Sequence, residues 1–170
     1  SRAYAAFVGN LIHACQHGIQ HAHTGTLTTG GTIIMGNTIH GCTVGAGIRI
    51  DSTSAQQAGF ANILIANNNL TRNATYGIEF TSATPPSLTA LRAFLFEVWN
   101  NNFHGNALGP INPAYTDLLR DCVSVDPQYV DPSNGDFRVG ANLKELGWPL
   151  TNIGMGATRS YVDIGAAQRQ

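Results

Sequence analysis

Three charged residues of this chain have the types and spacing for chemistry on carbohydrate. Arg49 and Asp51 lie two apart in GIRID, and Glu79 follows about 30 residues later in GIEF. Residues two apart on a strand share a face. If the Gly-Ile segments at 18, 47 and 77 stack as neighbouring strands, Gln20, Arg49 and Glu79 form one outward column. Ala22, Asp51 and Thr81 form the next. Diagonal neighbours on adjacent strands lie about 7–8 Å apart, and glycoside hydrolysis asks for two carboxyls about 5–9 Å apart. Asp51 and Glu79 are thus the candidate acid/base pair, with Arg49 beside them. The plainer reading is a surface ion-pair ladder around Arg49, worth under about 1 kcal/mol.

Other groups compete for a chemical role. His13, His40 and His104 share one repeat position, with Thr71 in the place between them, and HAH (21–23) adds two more imidazoles. Zinc needs three or four converging ligands. Side chains stacked at ladder spacing run parallel, so turn histidines bonded to backbone are expected and no metal. Cys15 and Cys42 also share a position; a disulfide demands tight geometry, so a free interior pair is expected. No His and third group are oriented on either cysteine as a nucleophile requires. Asp126, Asp131 and Asp136 sit five apart, without the alternating oxygens of a calcium loop. Asp-Pro pairs there set turns.

These positions are defined by a repeat. GNLIHACQHGIQ (9–20) and GNTIHGCTVGAGIRI (36–50) share Gly-Asn-x-Ile-His-x-Cys and a later Gly-Ile. NNLTRNATYGIEF, from Asn68, and NNFHGN, from Asn101, are looser copies. Aligned on Asn10, Asn37, Asn68 and Asn101, the copies recur about every 30 residues, the signature of a solenoid or array. Each Asn is preceded by a strand-like run: AAFV, TIIM, NILIA and FLFEVW. Two or three short strands joined by Gly- and Asn-rich turns leave no room for helical crossovers in most units. A parallel β-helix of about four coils fits, each coil pairing with the next at about 4.8 Å. A β-sandwich with chance similarity is the competing fold.

In that helix the Asn column is expected to take left-handed backbone angles at the turn and to form a side-chain ladder like those of amyloid. The Gly before each Ile is expected to make a tight corner. Pro85 and Pro86 break the third unit, and SLTALRA reads as a short helix with Ser87 as N-cap, in an excursion over 81–93. Coils span 1–109, and a final coil and cap span 110–170, in one domain.

The tail carries a resemblance. SVDPQYVDPSNGDFRVG (124–140) and YVDIGAAQ (161–168) resemble the endings of right-handed parallel β-helix proteins of the pectate-lyase-like group. The closing residues look most like phage and viral members. The resemblance implies the fold across nearly the whole chain and leaves function open among polysaccharide lyases and hydrolases, tailspikes, virion proteins and bacterial surface proteins. The group's lyases use a calcium-binding acidic cluster with an arginine, and the coils here show no such cluster. A β-helix end must be covered, and Tyr129, Phe137, Leu143, Trp148 and Tyr161 are expected to cover it. The chain opens almost at once in its first coil, with no signal-peptide pattern and no N-terminal cap; missing upstream coils or another chain would cover that end.

Composition narrows the partners. The chain has 170 residues with net charge -1, and only 11% of them are charged, against roughly 25% in an average domain. Nothing basic is concentrated enough for nucleic acid, and no apolar run reaches the ~18–20 residues of a membrane span. A neutral hydrogen-bonding surface suits an assembled particle or glycan contact. The expectation is a non-catalytic structural or adhesive module of a phage or viral particle, at the virion or cell surface. It would need no cofactor, and would meet copies of itself, virion proteins or a cell-surface polysaccharide. A polysaccharide-degrading enzyme using Asp51, Glu79 and Arg49 is the second reading.

Overall fold

The computed structural model describes residues 2–23, 29–52, 62–81, 86–143 and 164–165. It is an all-β structure of short parallel strands stacked in three sheets. The first sheet holds β1 (Arg2–Val8), β4 (Thr29–Met35), β7 (Ile63–Ala66), β10 (Phe96–Trp99) and β13 (Leu119–Arg120). The second holds β2 (Leu11–His13), β5 (Thr38–His40), β8 (Asn69–Thr71) and β11 (Asn102–His104). The third holds β3 (Ile19–His23), β6 (Ile48–Ser52), β9 (Tyr76–Phe80) and β12 (Gly109–Ile111). The chain visits the sheets in turn and begins each new round beside the last, an order compatible with a solenoid.

Register places like residues on like. Ile34, Ile65 and Val98 stack in the first sheet. Ile12, Ile39, Leu70 and Phe103 stack in the second. Ile19, Ile48, Ile78 and Ile111 stack in the third. Apart from half-buried Ile12, these side chains are almost wholly buried and form one core. Period-two strands supply one inward residue in two, so three short strands per round fill it. Phe80 and Phe103 are interior.

The Asn ladder is present, with its backbone assignment corrected. Asn10 Nδ2 donates to Asn37 Oδ1 at 2.8 Å, Asn37 to Asn68 at 2.8 Å, and Asn68 to Asn101 at 2.9 Å. The left-handed residues are those before the ladder: Gly9, Gly36, Asn67 and Asn100, with φ of 67°, 64°, 54° and 48°. The preceding residue turns the chain, which leaves the ladder Asn free to aim its amide along the stack. Gly18 and Gly47 stand at bends, the corner expected of them, without left-handed backbone, and Gly77 already lies within β9. A Cβ on Gly18 would run into the Gly47 carbonyl, and one on Gly77 into the Phe103 ring. Close approach of neighbouring strands demands glycine there.

The excursion forms α1 (Leu88–Ala93), and Ser87 Oγ accepts from Ala90 N at 3.2 Å. Leu91 is buried. The tail behaves differently from the expected end cap. Val123 bridges to Asn102 and Ser124 Oγ donates to the Phe103 carbonyl, so this stretch does cover the edge of β11. The chain then lies along the outer face of the second sheet. Phe137 reaches as far back as His13, with ring centroids 5.2 Å apart. Leu143, Val139 and Ile164 form a separate small core with Tyr129. Trp148 and Tyr161 lie outside the described residues.

Candidate functional site

Two faces carry groups with chemical potential. On the third sheet, Gln20, Arg49 and Glu79 are in register, and Ala22 pairs with Asp51. Ile48 and Ile50 point inward, so Arg49 and Asp51 point out by alternation. The guanidinium turns along its own strand: Nη2 lies 3.4 Å from Asp51 Oδ2, and Nε donates to Thr81 Oγ at 3.0 Å. Glu79 Oε2 accepts from Thr75 Oγ at 3.4 Å. Asp51 and Glu79 thus share a face, but each is engaged by a different neighbour.

The second face is the outer side of the second sheet. His13, His40, Thr71 and His104 stand in register there. His40 bonds to a side chain where a backbone bond is expected of a turn histidine. His40 Nδ1 and Thr71 Oγ lie 2.8 Å apart, and Thr71 Oγ lies 3.2 Å from the Tyr129 hydroxyl. The His40 ring meets Tyr129 edge-on at 5.4 Å and Phe137 at 5.3 Å. Burial, then the Arg72 guanidinium and His13, hold the His40 imidazole below the ordinary histidine range. Burial likewise pushes the Tyr129 phenol up. Both shifts favour the neutral form, as expected of side chains packed in a seam.

Beside this seam a cleft of about 180 Å³ opens between His40, Thr71, Arg72 and His104 on the sheet side and Asp126, Gln128, Tyr129 and Pro132 on the tail side. Arg72 and Gln128 take left-handed backbone there, with φ of 52° and 48°. Sequence reasoning placed the His column but missed Arg72, Tyr129 and Phe137 as its partners, because the tail occurs once and has no repeat to align it. The tail carboxylates set local turns: Asp126 Oδ1 accepts from Gln128 N at 2.9 Å, and Asp131 Oδ2 from Asn134 Nδ2 at 2.7 Å. Among the described residues, no group of three or more His, Cys, Asp or Glu converges as metal ligands.

The cysteines form a third cluster. Cys15 and Cys42 Sγ lie 3.4 Å apart as free thiols. Their column continues into a second ladder, where Asn73 Nδ2 donates to Asn106 Oδ1 at 2.7 Å. Comparison with protein-family models, with curated proteins and with solved structures finds no match.

Proposed function

We propose that the chain is a right-handed parallel β-helix of four coils serving as a non-catalytic structural or adhesive module on a phage or viral particle. The observation that carries this reading is the unbroken amide ladder from Asn10 to Asn101, backed by three interior columns of stacked side chains. Such a stack makes a stiff rod whose outer faces are left for contact. The right-handed sense follows from the general rule for parallel crossovers. Low charge supports close assembly, since little repulsion opposes it. The viral setting rests on the resemblance of the closing segments alone.

The test is a polysaccharide panel, read for newly released reducing ends and for retention of the purified chain, together with its mass by light scattering at several concentrations. The expected result is retention or a stable homo-oligomer without cleavage. Cleavage that disappears in both Asp51→Asn and Glu79→Gln would overturn it. That outcome is the second reading, a polysaccharide-degrading enzyme, and it has one observation in its favour: Arg49, Asp51 and Glu79 do occupy a single outer face.

A further inference from the structure

We propose that Cys15 and Cys42 are a disulfide-forming modification site, oxidised by a low-molecular-weight disulfide, which clamps the first three-strand unit to the second. The two thiols occupy the column in which later units are linked side chain to side chain, by Asn73 and Asn106. Asn73 Oδ1 also accepts from Cys42 N at 3.1 Å, so the link runs on through the backbone. Between the first two units the same position carries sulfur on both sides, the one pair in this column that can join covalently.

The geometry needs little change. Thr43 N donates to the Cys15 carbonyl at 2.8 Å, and Ala14 N to the His40 carbonyl at 3.2 Å. These bonds hold the two backbones at parallel-strand spacing, about 4.8 Å, inside the roughly 4.4–6.8 Å between α-carbons that a disulfide accepts. The sulfurs close from 3.4 Å to about 2.05 Å by side-chain rotation. Among the described residues, β1, β2 and β3 each pair on one side only. Ile12 and Cys15 are half-buried, whereas their partners Ile39 and Cys42 are fully buried.

Access sets the order of events. Cys42 is 1% exposed, and burial, with the Cys15 contact, pushes its thiol up to about 12. Half-buried Cys15 therefore attacks first. Its thiolate forms a bond to one sulfur of the external disulfide, and the other sulfur leaves as thiolate. Cys42 then attacks Cys15 Sγ, the second external thiolate leaves, and the Cys42 proton goes with it. Two protein thiols are oxidised to one disulfide and one external disulfide is reduced to two thiols.

The experiment treats the whole chain with oxidised glutathione under native conditions, followed by mass and peptide mapping. The expected product is about 2 Da lighter, two hydrogens having left. It carries a Cys15–Cys42 linkage and a free Cys122, melts at higher temperature, and reverts with dithiothreitol. Cys42→Ser is expected to accumulate the mixed disulfide at Cys15. A mixed disulfide that persists at Cys15 in the unsubstituted chain would overturn the proposal. So would linkage through Cys122, or a Cys15–Cys42 bond that forms only in denaturant.

Discussion

Asn37 gives both its backbone N–H and its side-chain amide to one oxygen, Asn68 Oδ1, at 3.0 and 2.8 Å. Asn68 repeats the pattern one unit on, with both donors on Asn101 Oδ1. Its Nδ2 also reaches the Ile34 carbonyl at 2.9 Å. Each ladder residue thus satisfies buried groups on two units at once.

Removing one rung follows directly. Asn68→Ala strands two donors of Asn37 and the Ile34 carbonyl in a dry interior, at about 1–3 kcal/mol per unsatisfied group before relaxation. The expected loss is about 3–5 kcal/mol in urea unfolding. Asn10→Ala, at the exposed end of the ladder, is expected to cost under about 1 kcal/mol. Equal losses for the two would mean the ladder is not what holds the units together.

The glycines separate steric from conformational need. Gly18→Ala drives a methyl into the Gly47 carbonyl and is expected to cost about 2 kcal/mol or more. Gly9→Ala meets no atom within 4 Å but keeps a φ of 67°, which costs about 1–2 kcal/mol. Gly9→Asn, the residue found at the equivalent Asn67 and Asn100, should be milder than either. Thermal melts rank the three; Gly9→Ala exceeding Gly18→Ala would refute the close-approach argument.

Phe137 fastens the tail. It is 2% exposed and packs on His13, His40 and Tyr129. Phe137→Ala removes an anchor of the kind that costs about 3–5 kcal/mol in a core. Because it lies outside the interior columns, hydrogen exchange should accelerate over 126–143 while β5, β8 and β11 stay protected. Uniform acceleration everywhere would show the tail and strands to be one cooperative unit.

The seam should also sense pH. Folding lowers the proton affinity of His40, so the unfolded chain binds that proton more tightly. Its contribution to stability is complete above the ordinary histidine value of about 6.5 and declines as pH falls below it. Melting temperature measured from pH 7.5 to 5 should fall, and His40→Gln should flatten the slope. An unchanged slope in that variant would place the titrating group elsewhere.

Much of this architecture was legible before any coordinates. A repeat of about 30 residues forces equal offsets to stack, so the Asn, Cys, His and Gly-Ile columns and the outward row of Gln20, Arg49 and Glu79 all followed from alignment. The Ser87 cap was local chemistry and equally readable. Other features were not. The left-handed residue sits one position before the ladder Asn, and Gly18 is kept small by a carbonyl from another unit. The tail occurs once, so no periodicity tells which face it covers, and only packing brings Phe137 to His13 and His40. Nor does spacing say that Arg49 turns to Asp51 and Thr81. Repetition determines register because like positions must superpose; side-chain partners and the docking of unique segments are decided by long-range contacts that only the folded chain assembles.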